Sequence, residues 1–504
     1  MTVIPEIPRD YNCAVDLLET NLAAGRAGKV AVIDDAGRYT YGELAGRVDR
    51  FGSHLLSLGL RMEDRVLIAM HDTIDWPTAF LGAIKAGIIP IAVNTLLTTR
   101  DYEFMLSDSR AKALLVSPAL KPQFEPLIGK MPFLKHVIET PFEKVLKGEK
   151  GELKAAPTTR DDPCFWLYSS GSTGMPKGTV HVHGSARITA ELYAKGVIGL
   201  GESDTVFSAA KLFFAYGLGN SLTFPLAAGA TAVLMAERPT PDSVFKRLIE
   251  HKPTYFYGVP TLYAAMLASP HFPKRGDLGL RHCVSAGEAL PPQILKAFRE
   301  RTGIDILDGI GSTEMLHIFL SNRPGDLRPG TTGKVVPGYE LRLVDEQGND
   351  VKDGELGELL IKGVTAANGY WNNRAKSRST FVGEWTRSGD KYSRDKDGFY
   401  AYGGRTDDML KVSGIWVSPA EVEAALVSHE AVLEAAVVGK EDENRLVKPK
   451  AFVVLKPGRK ATGEELKSHV KEKLAPYKYP RWIEFMTELP KTATGKIQRF
   501  KLRG

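Results

Sequence analysis

The sequence predicts an α/β fold, with a smaller α+β part at the C-terminal end. Three successive textures along the chain predict it. Apolar strand-like runs alternate with amphipathic helical segments through the first 330 residues, the pattern of a sheet covered by helices. From about Gly330 an alternation of period two takes over, as in antiparallel β structure. Near Arg405 helix-start signals return, separated by two short strand-like runs. At 504 residues the chain exceeds one ordinary core, so two or more domains are expected.

The elements follow in order. Thr40 and Glu43 make a capping box, and Leu44, Val48, Phe51, Leu55 and Leu58 then recur at helical spacing up to Gly59. Arg65 to Met70, Ile88 to Val93 and Ala113 to Ser117 read as buried strands, as does Cys164 to Tyr168. Tyr339 to Asp345 alternates, turns through Asp345-Glu-Gln-Gly348, and returns from Glu355 to Gly363, which predicts a small barrel-like part over about 330–406. Ser418, Pro419 and Glu421 combine an N-cap, a first-turn proline and a capping glutamate. Thr462 and Glu465 repeat the signal before Leu466, Val470 and Leu474. Ala435 to Gly439 and Lys450 to Leu455 are the strands between them, completing an α+β unit of roughly a hundred residues.

Bulk properties narrow the function. Basic residues number 66 against 60 acidic, a net +6 with no dense Lys/Arg block, so nucleic acid is not expected as a partner. Three widely spaced cysteines show neither a disulfide framework nor metal-ligand spacing, which predicts a reducing, cytoplasmic setting. No signal-peptide pattern opens the chain. The most apolar stretch, Val66 to Val93, is broken by His71, Asp72, Asp75 and Lys85, so no membrane span is expected.

Chemistry concentrates in loops. Tyr168-Ser-Ser-Gly-Ser-Thr-Gly-Met-Pro-Lys-Gly178 brings together the hydroxyls of Ser169, Ser170, Ser172 and Thr173, the glycines Gly171 and Gly174, and the ammonium of Lys177. Glycines let successive N–H groups converge on an anion, hydroxyls add donors, and lysine adds a point charge. A plain surface turn is the alternative, but the apolar run before it is what feeds phosphate loops in α/β enzymes. It is not the common G-x-x-x-x-G-K-[ST] loop, because Gly178 follows Lys177. Gly309-Ile-Gly-Ser-Thr-Glu314 offers a hydroxyl (Thr313) for a phosphate oxygen and a carboxylate (Glu314) for magnesium. Asp390, after Ser388-Gly389, suits ribose hydroxyls, and Arg405 suits phosphate or ribose. Lys411 with the Gly414 loop, and Lys496 after Gly495, complete the set.

These sites, taken together and in this order, resemble the adenylate-forming superfamily of acyl-CoA synthetases, luciferases and peptide-synthetase adenylation domains. The resemblance spans nearly the whole chain and rests on Tyr168–Gly178, Gly311–Glu314, Ser388–Asp390, Gly404–Asp408 and Pro490–Lys496. It implies an N-terminal domain over 1–406, made of two helix-flanked sheets plus the barrel-like part. It also implies a mobile lid over 407–504 hinged near Asp407. ATP, magnesium and coenzyme A are the implied cofactors and co-substrates. A carboxylate would attack the α-phosphate, releasing pyrophosphate, and a thiol would then displace AMP. Lys496 would bridge the carboxylate and the α-phosphate, while Gly287, Glu288 and Asp308 would line the adenine site. Lys411 and Gly414 would serve the thiol step after the lid turns. Ile310 stands where the family often has an adenine-stacking aromatic residue.

The acid would lie between Leu212–Asn220 and Met315–Phe319. No aspartate is present there to hold an ammonium, which argues against an α-amino acid. Ala215, Tyr216, Gly311, His317 and Ile318 would form a flat, mostly apolar slot, and the surrounding residues Phe213 to Asn220 and Gly309 to Ser321 resemble those of benzoate–CoA ligases within the superfamily. The implied substrate is benzoate or a ring-substituted benzoate, with 4-hydroxybenzoate or a medium-chain fatty acid as alternatives. A homodimer is an expectation at the level of the family; a lysine acetyltransferase acting on Lys496 is expected because acetylation would remove the charge that screens the two anions.

Overall fold

The computed structural model describes residues 4–149, 151–169, 176–406, 408–412, 415–443, 446–491 and 497–503. Two large sheets dominate. The first has nine strands, ordered Lys334–Val335, Ile318–Ser321, Ile306–Gly311, His282–Ser285, Tyr255–Gly258, Thr205–Ser208, Thr231–Val233, Val30–Asp34 and Gly37–Thr40. Its six inner strands are parallel, and antiparallel pairs close both edges. The second has seven, ordered Gly369–Tyr370, Lys177–Val182, Pro163–Ser169, Ile89–Ala92, Arg65–Ala69, Ala113–Val116 and His136–Glu139. Parallel strands need crossovers, and helices such as Asp75–Lys85 and Thr99–Ser109 supply them.

The apolar stretch that the sequence breaks with charges is the centre of the molecule. Every residue from Asp75 to Lys85 is buried. A helix buried all round cannot leave its charges in water, so each charge has a partner. Asp75 pairs with Arg47 at 2.5 Å and Lys85 with Asp49 at 2.6 Å. Asp72, just before this helix, accepts the Leu212 N–H at 3.2 Å. The capping box at Thr40 and Glu43 forms, and Leu44, Val48, Phe51 and Leu55 face the same core.

The barrel-like part is an antiparallel sheet of Glu340–Val344, Gly357–Lys362, Trp385–Arg394, Phe381–Val382 and Tyr400–Arg405. The period-two texture beyond Gly330 is not all one sheet, however. Lys334–Val335 completes the nine-stranded sheet, and Gly369–Tyr370 pairs with Thr179 and Val180 in the seven-stranded one. The small C-terminal domain carries Val432–Glu441, Val447–Leu455 and Trp482–Phe485, the last pair parallel, against two helices. Val422, Leu426, Val437, Val453, Leu466 and Val470 form its own core. Thr462 and Glu465 close a capping box there. Ser418 caps its helix, but the Glu421 carboxylate reaches Lys478 at 2.7 Å, the ammonium of Lys478 taking the carboxylate expected to act as a cap.

Candidate active site

The phosphate-loop candidate joins two antiparallel strands. Pro163–Ser169 pairs back onto Lys177–Val182, with Ser169 opposite Lys177. Ser170, Gly171, Ser172, Thr173 and Gly174 lie outside the described residues. Ser169 and Lys177, which flank them in the chain, are held side by side by the pairing of the two strands.

Lys177 is where the geometry converges. Its ammonium lies 3.7 Å from Glu314 Oε1, 3.4 Å from the Tyr370 hydroxyl and 4.6 Å from the centre of that ring. The Tyr370 hydroxyl donates to Glu314 Oε1 at 2.7 Å. Burial lowers the Lys177 pKa, the Glu314 carboxylate opposes that, and the cations Lys376 and Arg405 push the same way as burial. A cluster with surplus positive charge, partly withdrawn from water, is a site for a polyanion.

Thr313 and Glu314 sit on a turn held from below. His181, buried in the strand after the loop, donates from Nε2 to the Thr313 carbonyl at 2.7 Å. Burial lowers its pKa to about 4, so the ring is neutral at pH 7. Ala367 N–H binds the Glu314 carbonyl at 2.8 Å. Magnesium fits the donor set here: one carboxylate supplemented by phosphate oxygens is what that ion takes beside nucleotides.

Asp390 and Arg405 face each other across paired strands and form an ion pair at 3.1 Å, Arg405 also donating to the Ser388 carbonyl at 3.2 Å. Gly389 makes the turn possible. Its φ is +73°, and a Cβ there would lie 3.0 Å from the Arg405 guanidinium. Glu288 accepts the backbone N–H of Ile497 at 3.2 Å, which brings the segment beside the Pro490 motif against the large domain. Gly287 has φ +93° in the same turn. Asp308 is buried, and desolvation holds its pKa well above the usual carboxylate range. Lys411 lies on the strand Leu410–Val412, paired with Ile415–Val417. Asp407, Gly414 and Lys496 lie outside the described residues.

The acid-slot candidates meet around His317. Its ring packs against Phe224 at 4.3 Å and against Tyr193 and Tyr216 at 5.7 Å each. Nε2 lies 3.3 Å from the Tyr216 carbonyl, so that nitrogen carries the proton and Nδ1 is a bare acceptor. Burial lowers its pKa to about 3. Tyr216 reaches the carbonyls of Gly258 and Val284 with its hydroxyl. Ala215 opens the helical turn beside it and is half-buried, whereas Ile318 is fully buried against Gly309. Gly311 is needed for close approach: a Cβ would sit 2.5 Å from the His317 carbonyl oxygen.

Residues 19–371 match the AMP-binding enzyme family, and residues 421–496 match the AMP-binding enzyme C-terminal domain. The chain belongs to the AMP-binding enzyme family. It is 63% identical to a benzoate–CoA ligase of Thauera aromatica, over 99% of this chain and 97% of that one. It is 52% identical to a 4-hydroxybenzoate–CoA/benzoate–CoA ligase of Rhodopseudomonas palustris, over 98% and 94% respectively. A crystal structure of a benzoate CoA ligase from Burkholderia xenovorans LB400 superposes with a TM-score of 0.93 at 56% identity, covering 98% of this chain and all of that one.

Three residues of this AMP-binding enzyme contribute to the site without having stood out in the sequence. His181 and Tyr370 lie within Val180-His-Val-His183 and Asn368-Gly-Tyr-Trp371, which show no periodicity or spacing tied to chemistry. Gly219 is the third, because a Cβ there would come within 2.3 Å of His317 Cδ2. Among the described residues, no helix is long and apolar enough to cross a membrane.

Proposed function

We infer that the protein is an AMP-forming benzoate–CoA ligase. It activates benzoate as benzoyl-adenylate at the expense of ATP, releases pyrophosphate, and transfers the benzoyl group to coenzyme A. The observation that carries this is near-complete alignment, at 63% identity, with a protein named for that activity. The relative that also takes 4-hydroxybenzoate stands further off, at 52%.

The residues of the site take these proposed roles. The loop from Ser169 to Lys177 grips the β- and γ-phosphates and then pyrophosphate, and Thr313 steadies the α-phosphate. Glu314 would hold magnesium, which would supply charge neutralisation at the triphosphate. Asp390 accepts the ribose hydroxyls, with Arg405 beside it. Glu288, Gly287 and Asp308 border the adenine. Lys496 places its charge between the two anions that must meet, the carboxylate of the acid and the α-phosphate. In the first step a carboxylate oxygen bonds to the α-phosphorus and the bond to pyrophosphate breaks. In the second the thiol sulfur bonds to the acyl carbon and AMP leaves.

A hinge near Asp407 would let residues 407–504 present Lys496 first and Lys411 with Gly414 second, so that one cavity serves both reactions. Acetylation of Lys496 would remove the bridging charge and silence the first step only. Ala215, Tyr216, Gly311, His317 and Ile318 are proposed to shape the ring slot.

The deciding experiment measures pyrophosphate and AMP release with benzoate, fluoro-, methyl- and hydroxybenzoates, cyclohexanecarboxylate and hexanoate. Benzoate should give the highest kcat/KM. A preference for hexanoate or for 4-hydroxybenzoate by tenfold or more would overturn the substrate.

A further inference from the structure

Tyr370 stands between two charged groups of the proposed nucleotide site, Lys177 and Glu314. Its hydroxyl has one proton, which goes to Glu314 Oε1 at 2.7 Å. Its oxygen is therefore left to accept from Lys177 Nζ, 3.4 Å away. The ammonium and the carboxylate are thus linked through the phenol, while their direct separation is 3.7 Å. Unscreened, partly buried opposite charges draw together to about 2.8 Å when nothing intervenes. A collapsed pair would consume the charge meant for phosphate and the carboxylate meant for a cation.

The phenol itself is fixed by backbone. Tyr370 pairs with Thr179 in the sheet, and its N–H donates to Ser377 Oγ at 2.9 Å. The next residue, Trp371, donates its N–H to the Gly178 carbonyl at 2.7 Å. The strand that carries Tyr370 is therefore pinned to the strand that carries Lys177. Packing alone is the plain alternative, since the ring also lies 5.4 Å from that of Phe381. Packing would not require the hydroxyl.

We propose that Tyr370 is a positioning residue for adenylation: its hydroxyl holds Lys177 and Glu314 apart, keeping the first open to phosphate and the second open to magnesium. This rests on the adenylating reading of the site but not on the identity of the acid.

The test is Tyr370→Phe, which keeps the ring and removes the hydroxyl. Calorimetric affinity for MgATP, measured without any acid, should fall roughly tenfold, the usual consequence of losing a hydrogen bond to a charged group. The magnesium concentration giving half-maximal pyrophosphate release should rise by about the same factor. Thioester formation from pre-made benzoyl-adenylate should stay within about twofold, because it no longer involves the triphosphate. In the Glu314→Gln background the same change should cost little, since the partner it spaces is no longer charged. Unchanged MgATP affinity, equal losses in both half-reactions, or full additivity with Glu314→Gln would each overturn the proposal. Wild-type protein that binds MgATP but activates no benzoate would instead break the substrate assignment and leave the Tyr370 result readable.

Discussion

The two ends of the proposed active site are built on opposite plans. At the nucleotide end the residues are charged or hydroxylic and fall into two bonded groups, Lys177 with Tyr370 and Glu314 at 2.7 to 3.7 Å and Asp390 with Arg405 at 3.1 Å. At the acid end, Tyr216, His317 and Ile318 are neutral and packed among rings and core side chains. The nucleotide end must meet a fixed, highly charged partner, so its chemistry is dictated residue by residue. The acid end must fit a shape, and shape can be made from many apolar side chains. Losses at the first should therefore appear in ATP dependence and losses at the second in acid dependence, with little crossover.

The sharpest test of that separation is Lys496→Ala. Benzoyl-adenylate formation should fall on the order of a hundredfold or more, as when one preorganised charge is removed from a developing anion. Transfer from pre-made benzoyl-adenylate to coenzyme A should be spared. Rapid-quench measurement of both half-reactions decides it, and equal losses would show that the two steps share one arrangement. Next in size is Asp390→Asn, which weakens a charge-assisted contact to ribose and should raise the KM for ATP about tenfold while leaving the KM for benzoate alone. The mirror experiment is Gly219→Ala. The new methyl group meets His317 and should cost about 1–3 kcal/mol of stability while raising the KM for benzoate several-fold, with the ATP dependence unchanged. A rise in both constants would mean the two ends are mechanically coupled.

The last test concerns pH. His181, His183 and His317 have pKa values lowered to about 4, 4 and 3 by burial, against an ordinary 6.5. Below pH 6.5 the unfolded chain takes up these protons and the folded chain does not, so stability is full above 6.5 and falls with pH towards 4. Each buried ring should contribute roughly 1.4 kcal/mol per pH unit within that window. The urea midpoint of the large domain should therefore be level from pH 8 to 7 and decline below 6.5. His183→Gln should make the decline shallower, and an unchanged slope would show that this ring is already protonated in the fold.

What could be read in advance follows the same division. The elements from Thr40 to Ser117 were legible because caps and helical spacing are local, and Leu44, Val48, Phe51 and Leu55 carry their burial in their periodicity. Lys177, Glu314, Asp390 and Arg405 were legible because glycine turns beside charges have few other uses. His181 and Tyr370 were not, because they act through neighbours that are distant in sequence: His181 lies 132 residues from Thr313 and Tyr370 lies 56 from Glu314. Gly219 was hidden for another reason. Its importance is the absence of a side chain opposite His317, which only the packed structure reveals. The misplaced β texture at Lys334–Val335 and Gly369–Tyr370 has a related cause, since two-residue strands carry too little pattern to say which sheet they join.

The pairing of Gly369–Tyr370 with Thr179 and Val180 also bears on solubility. The strand Lys177–Val182 would otherwise be the outer member of its sheet, with a row of N–H and C=O groups facing whatever came near. Such rows invite strands from other molecules. The two residues that cover it are bracketed by further bonds, from Asn368 N–H to the Val180 carbonyl and from Trp371 N–H to that of Gly178. The same short segment that holds the phenol in place thus seals the sheet against aggregation, so mutations that loosen it should lower the yield of soluble protein before they reveal any defect in catalysis.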